Sequence, residues 1–251
     1  MNELIASEKD LWQKAIEHPF YVEICNDSLC IEKFKDTLTQ MKLISDVGIR
    51  GLLCDTLHHM DPHHPATKHL LHHLNSMHPG GKHFDSVQEM LKEAGVTDPE
   101  HVFVLPATES ICDAMHRIGH RGHLHEKLLT LLVMVHAVKA RVEWMKKRKQ
   151  PTCPLFSKFV SHCEGVLEHG VEWMHSALDD AISGEVSGTG QMRKSVTKST
   201  TNHPTEQDKY MFKRTLQQMI LMHDSCMNRG TWEWPLSQHY HIEGLGRVGG
   251  A

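Results

Sequence analysis

The segment between Leu124 and Lys147 is apolar on nearly every side of a helical wheel. It contains Leu128, Leu129, Leu131, Leu132, Val133, Val135 and Val138. A helix that is apolar all round must be covered by other elements, so this segment predicts the central helix of a bundle. Alternating strand patterns are absent from the sequence, which therefore predicts an all-α fold.

Apolar residues at three- and four-residue steps predict further helices before and after the central one. These span about 3–17, 30–59, 66–77, 85–94, 106–119, 154–182 and 206–228, with a short helix after His18-Pro19. A chain of 251 residues can build one large helical core, which predicts a single domain over 1–230. Enrichment in Gly, Ser and Thr predicts a mobile loop over about 183–207, and repeated glycines predict a largely disordered tail over 231–251.

Composition and charge exclude several classes of function. A formal net charge of −4 gives no basic field for nucleic acid, and the short basic run 146–149 suits a helix C-terminus. No apolar run approaches the roughly 20 residues that a membrane helix needs. The seven cysteines are scattered and never spaced as Cys-x-x-Cys, which predicts free thiols in a cytoplasmic protein.

Histidine is unusually abundant, and nine of the 23 histidines lie between His58 and His83. A surface patch of this kind binds divalent metals weakly and unselectively, and part of it is simply solvated. On the helix predicted over 106–119, a polar stripe lies opposite the apolar face and is expected to face water. This stripe consists of Glu109, Asp113, His116 and His120.

The helix predicted after Pro154 differs, because its polar groups border its apolar face. On this helix, which is predicted to extend to about residue 182, Glu164, Glu168 and His175 lie close to the apolar stripe, whereas His162 and His169 lie on the far side and are exposed. Buried carboxylates need a metal, a cation or hydrogen bonds as compensation.

The order of residues in the first helices resembles the opening of the heme-oxygenase-like superfamily, which includes the TenA thiaminases, the PqqC oxidases and non-heme diiron oxidases. The resemblance is carried by Leu11-Trp-Gln-Lys-Ala-Ile-Glu-His-Pro-Phe20, Ser28-Leu29, Phe34 and Leu38-Thr39-Gln40. It implies a heme-oxygenase-like helical bundle. Members are often dimers, so it also implies a homodimer.

A second resemblance concerns the chemistry. Glu168-x-x-x-Glu172-x-x-His175 is similar to the last ligand helix of the diiron oxidases, and His136 and His83 fall near two further ligand positions. The glutamate that pairs with the latter histidine in those enzymes would fall at Ser76, which cannot replace it. The implied metal ligands are His83, His136, Glu168, Glu172 and His175.

Such a centre implies iron, in one or two ions and without heme, in an oxidase or oxygenase that acts on a small organic substrate with dioxygen. A methionine-rich pocket would hold this substrate, although each methionine is also ordinary core material. The predicted walls are Met41, Met134, Met174, Met219 and His223.

Other interpretations remain open. His136 can be a satisfied core histidine, and the two glutamates can pair with Lys158, Lys139 or Arg141. A metal-free binding protein or pseudoenzyme of the same fold is one alternative, and a filled core beside His136 and His175 would favour it over an enzyme. A cofactorless PqqC-like oxidase is another, since 102–108 resembles that branch.

The sequence disfavours a thiaminase. The TenA family carries Asp directly after the position of Gln40, where this chain has Met41. Its nucleophilic cysteine lies on the central helix, which has no cysteine here, and three tyrosines are too few for its aromatic pyrimidine clamp.

Overall fold

The protein is described by a computed structural model that covers residues 1–96, 103–167, 171–183 and 204–228. The first helices are α1 (Asn2–Ser7), α2 (Lys9–Ile16), α3 (Pro19–Cys25), α4 (Ile31–Leu43), a π-helical segment (Ile44–Ile49) and α5 (Arg50–His59). They are followed by α6 (Pro65–Ser76), α7 (Lys82–Glu93), α8 (Pro106–Arg121), α9 (Leu124–Lys146), α10 (Pro154–Gly165), α11 (Glu172–Ser183) and α12 (Glu206–Met227). The described residues contain no strand, which confirms the all-α prediction.

The helix α9 lies at the centre of this bundle, as its sequence predicts. It contacts α12, α11, α2, α10 and α5 along its length, and Leu128, Leu132 and Val133 are fully buried. The residues around α9 are largely apolar, yet two cationic side chains of this helix, Lys127 and Arg141, are also buried. A buried cation requires a compensating partner, so each of these two side chains needs an explanation.

The helix predicted over 30–59 contains a π-helical segment that its apolar spacing does not reveal. Gly48 lies in this segment, where an added Cβ would stand 2.7 Å from the Sδ atom of Met115. The missing side chain therefore lets α8 pack closely against the segment. A π-helical turn widens the backbone spiral and often marks a functional site, and Ser45 and Asp46 lie within it.

The single helix predicted over 154–182 is wrong. The structure ends α10 at Gly165 and begins α11 at Glu172, and 168–170 lie outside the described residues. The wheel that placed Glu164 and His175 on one face therefore does not apply. Glu164 instead forms an ion pair with Lys146 at 3.1 Å.

A glutamine fixes the chain segment that leads into α8. The side-chain amide of Gln40 is buried; it donates to the carbonyl of Phe103 at 2.9 Å and accepts from the amide of Leu105 at 3.1 Å. Two backbone groups before the first turn of α8 are thus satisfied by one side chain.

None of the helices among the described residues is long and apolar enough to cross a membrane. Of the loop predicted over 183–207, residues 184–203 lie outside the described part of the chain, as does the whole predicted tail over 231–251.

Candidate active site

A cavity of about 180 Å³ lies inside the bundle between α4, α8, α9, α10 and α12. Its wall is largely apolar and includes Met41, Met134, Met219 and His223. These are four of the five pocket residues named from the sequence, and the fifth, Met174, lines a neighbouring cavity. A cavity of about 150 Å³ in another protein holds benzene, so this inner cavity can accept a ring of similar size.

The neighbouring outer cavity is larger, at about 980 Å³, and has more polar walls. From α6, α7 and α10 it receives His72, Ser76, Lys82, Glu89, Lys158 and Ser161. The two cavities share Ser45, Ile49, His83, Met134, Val138, His162 and Val166. We call these shared residues the waist, because the inner and outer cavities are adjacent there.

Two imidazoles face each other at the waist. The ring centroids of His83 and His162 are 4.6 Å apart. The Nε2 atom of His83 lies 3.3 Å from Ser45 Oγ, and the Nδ1 atom of His162 lies 3.0 Å from Ser86 Oγ. The prediction that His162 is exposed is therefore wrong, and the error follows from the break between α10 and α11.

Both of these rings are neutral near pH 7. Burial lowers the pKa of His83, although the Asp46 carboxylate opposes this effect. Burial, followed by the neighbouring His83, lowers the pKa of His162 to about 3. A neutral imidazole has a lone pair that can accept a proton, which is the first requirement for a general base. A pKa of about 3 makes His162 a poor proton acceptor, so His83 is the better candidate of the two.

The residues predicted as metal ligands do not meet at one point. His136 and His175 form a separate pair, in which their Nε2 atoms are 2.7 Å apart, and neither lines the two cavities. Glu172 is exposed and accepts from the amide of Val171 at 2.9 Å. His83 contacts His162 instead.

Glu168, the fifth predicted ligand, lies outside the described residues. Within the described ranges, no group of three or more histidine, cysteine or carboxylate side chains is arranged to hold a metal ion. Lys158, one of the alternative partners for the glutamates, forms ion pairs with Glu89 and Glu93 on α7.

Several polar groups in and beside the inner cavity have a defined partner or protonation state. Lys42 and Asp46 form an ion pair one helical turn apart. The Nδ1–H group of His223 donates to the carbonyl of Met219 at 2.7 Å, so its Nε2 atom accepts from the Tyr21 hydroxyl, also at 2.7 Å. Burial raises the pKa of the Cys163 thiol to about 12, which keeps it protonated near pH 7.

An all-α bundle with two adjacent cavities has internal space of the size that small-molecule sites occupy. Comparison with known families gives the finer assignment. The model of the TENA/THI-4/PQQC family matches residues 5–203, and the chain therefore belongs to that family. This membership confirms the expected resemblance to the heme-oxygenase-like superfamily.

Solved structures with the same fold include the TenA homologue of P. horikoshii OT3, with a TM-score of 0.71 at 16% identity over 90% of this chain and 97% of that chain. The TenA homologue of Pyrococcus furiosus has a TM-score of 0.70 at 13% identity, over 90% and 98% of the two chains. A protein from Sulfolobus solfataricus P2, named as an inferred TenA-like thiaminase, has a TM-score of 0.64 at 14% identity over 90% and 94%. No curated protein sequence matches the chain.

These findings correct the functional prediction. An iron-dependent oxidase or oxygenase is wrong, because the family and its TenA-like neighbours point to a TenA-type or related function. The same findings overturn the argument against a thiaminase. That argument rested on Met41 after Gln40, on the absence of a cysteine from the central helix and on the small number of tyrosines. It did not consider His162, which a helical wheel that begins at Pro154 and ends at Gly165 leaves free to face α7.

Proposed function

We propose that this protein is a TenA-type hydrolase, which cleaves thiamine or a related two-part small molecule at the waist between the two cavities. One part of the substrate occupies the inner cavity and the other part the outer cavity. The observation that carries this proposal is the neutral imidazole pair, His83 and His162, at the point where the cavities meet. A general base belongs beside the bond that breaks, and this pair lies there.

His83 is the better candidate for the base. Its Nε2 atom is within 3.3 Å of Ser45 Oγ, and no hydrogen-bond partner of Nδ1 is formed within the described residues. If Nε2–H donates to Ser45, the lone pair of Nδ1 is free to accept a proton from water. The serine then fixes the tautomer and the orientation of the ring.

The hydrolytic step balances with water as the only co-reactant. His83 takes one proton from the water, and the water oxygen bonds to the carbon that joins the two parts of the substrate. The carbon–nitrogen bond breaks, and its electron pair leaves with the ring nitrogen. For thiamine this converts a cationic thiazolium into a neutral thiazole, so the leaving group needs no separate acid.

Water is preferred over a cysteine nucleophile in this proposal. Cys163 lines the inner cavity, but its raised pKa of about 12 leaves almost no thiolate at neutral pH. The seven free cysteines also support a reducing, cytoplasmic location as part of the proposal.

Turnover of thiamine tests the proposal, with release of the two halves measured by chromatography. Val138 belongs to the waist, whereas Val135, one turn earlier on α9, lines only the outer cavity. Val138→Phe should obstruct the waist and reduce hydrolysis by roughly tenfold or more, because a substrate misplaced by about 1 Å loses much of its rate.

Val135→Phe is the matched control, since it adds the same volume to the roomier cavity and should retain most of the activity. Circular dichroism and thermal unfolding would verify that both variants fold. If neither thiamine nor its phosphate esters are cleaved by the parent protein, the proposed reaction is incorrect. Equal activity of the two variants would show that the substrate is not cleaved at the waist.

A further inference from the structure

Arg141 on α9 is a buried cation in the wall of the inner cavity. It is 5% exposed and lines that cavity together with His223 and Cys163. Its Nε atom donates to the carbonyl of Ala15 at 3.0 Å, and its guanidinium carbon lies 4.8 Å from the centre of the Tyr21 ring. Neither of these partners carries a negative charge.

The titratable groups around the Arg141 guanidinium are all neutral near pH 7. Burial raises the pKa of Tyr21 to about 12 even though Arg141 lowers it, and burial likewise raises the pKa of Cys163 to about 12. Burial, and then the charge of Arg141 itself, lower the pKa of His223 well below its ordinary value. None of the three can neutralise the arginine.

The remaining charges on the wall of the inner cavity compensate each other. Lys42 and Asp46 form an ion pair, so Asp46 is already matched. Within the described residues, no carboxylate forms an ion pair with Arg141. The inner cavity thus retains one uncompensated positive charge, and an unpaired buried charge is costly unless a ligand supplies its partner.

We propose that the inner cavity binds a small organic anion, a ring that carries a carboxylate or a phosphate group, and that Arg141 holds this group. A guanidinium presents parallel N–H donors that match both anions, and its charge persists at any pH of interest. The apolar remainder of the wall accommodates the ring. This inference rests on the proposed function and narrows its substrate class to compounds with an anionic group, phosphate esters of thiamine included.

Binding of three probes to the parent protein tests this inference without any turnover. Benzoate, phenyl phosphate and benzyl alcohol have similar rings and differ in their charged group, and isothermal titration calorimetry at low salt and pH 7.5 compares them. An anion should bind roughly tenfold or more tightly than benzyl alcohol, a difference of about 1.4 kcal/mol. The order of benzoate and phenyl phosphate decides which anion the cavity prefers.

Arg141→Met keeps the side-chain length and removes the charge, so it should abolish the preference for the anion while benzyl alcohol binds as before. Arg141→Lys keeps the charge without the planar fork and should retain part of the preference. Arg117→Met, at an exposed arginine on α8, is the matched control and should bind like the parent. The binding measurement also separates this inference from the hydrolytic proposal, because a parent protein that binds benzoate but cleaves no thiamine would contradict the hydrolytic proposal alone.

Equal affinity of the parent protein for benzoate and benzyl alcohol would overturn the inference, and this comparison needs no variant to fold. Retention of the full anion preference in Arg141→Met would overturn it as well. The thermal stability of the free proteins is a further measurement. Because Arg141→Met removes an unpaired buried charge, it should unfold at a temperature no lower than the parent does, whereas a purely structural arginine would make it less stable.

Discussion

The molecule contains two pairs of histidines, and their surroundings differ. His83 and His162 line both cavities, and each is hydrogen-bonded to a serine. His136 and His175 bond directly to each other between α9 and α11 and line neither cavity. Two pairs of half-buried histidines in one bundle therefore differ, because one pair faces a substrate-sized space and the other forms a direct contact between two helices.

The difference shows that contact with a cavity, more than a perturbed pKa, distinguishes a candidate general base from a structural histidine. Burial lowers the pKa in both pairs, to about 3 for His162 and about 4 for His136. For His136 the next cause is the charge of His175, and Glu172 acts in the opposite direction. Perturbed pKa values alone would therefore select both pairs, whereas of the two only the pair at the waist lines the two cavities.

The largest expected effect that distinguishes the pairs is on the rate of hydrolysis. His83→Gln keeps a polar side chain of similar reach but cannot accept a proton, so kcat should fall by about 10²- to 10⁴-fold. His136→Gln, its counterpart in the other pair, should change kcat by less than about threefold, because His136 lines neither of the two cavities. Initial rates at saturating substrate measure both.

If His136→Gln were the more damaging substitution, the comparison between the pairs would be reversed and the site would have to be sought between α9 and α11. A loss that affects only KM in His83→Gln would indicate that His83 binds the substrate without serving as a base.

An intermediate effect is expected on acid stability. The pKa of His162 in the folded protein, about 3, is lower than in the unfolded chain, where it is about 6.5. Below about pH 6.5 the unfolded chain therefore binds a proton at His162 that the folded protein does not bind. The free energy of unfolding decreases as the pH falls from about 6.5 toward 3. At pH 5 this loss amounts to about 2 kcal/mol for His162.

His162→Gln should therefore lose about 2 kcal/mol less free energy of unfolding between pH 7.5 and pH 5 than the parent does. His136→Gln should recover about 1 kcal/mol or less, because its pair is half-buried and the carboxylate of Glu172 stabilises a proton there. Urea unfolding at the two pH values measures this difference. An equal acid dependence in His162→Gln and the parent would show that the ring at the waist is hydrated and titrates normally.

The contrast also explains what could be predicted from the sequence. The central helix is recognisable because its apolar residues cover all of its faces, and Leu128 and Leu132 are buried as that pattern requires. The superfamily could be recognised from the opening because the order of residues in the first helices can be compared without knowledge of the tertiary contacts. Four of the five named pocket residues line the inner cavity, because residues on the core faces of neighbouring helices must converge.

The pairing of histidines could not be predicted in this way. His162 was assigned to the wrong face because most of the apolar stripe was taken from residues beyond Gly165, such as Val171 and Met174. These residues do not share one helical wheel with His162, since α10 ends at Gly165. His83 and His162 are distant in sequence, and their contact depends on how α7 packs against α10. The π-helical turn that contains Ser45 packs closely against α8 where Gly48 faces Met115, and this tertiary contact also cannot be read from apolar spacing.

The smallest expected effect concerns the serine at the waist. Ser45 is 8% exposed, and its hydroxyl contacts His83 at 3.3 Å, which is long for a bond that must carry much energy. If it only orients the imidazole, Ser45→Ala should lower kcat by about fivefold, the equivalent of about 1 kcal/mol. Ser86→Ala, which removes the hydroxyl beside His162 at 3.0 Å, should have a still smaller effect, because that ring is not the proposed base. A loss in Ser45→Ala as large as in His83→Gln would mean that the serine itself attacks the substrate, and the pair at the waist would then be a nucleophile with its base.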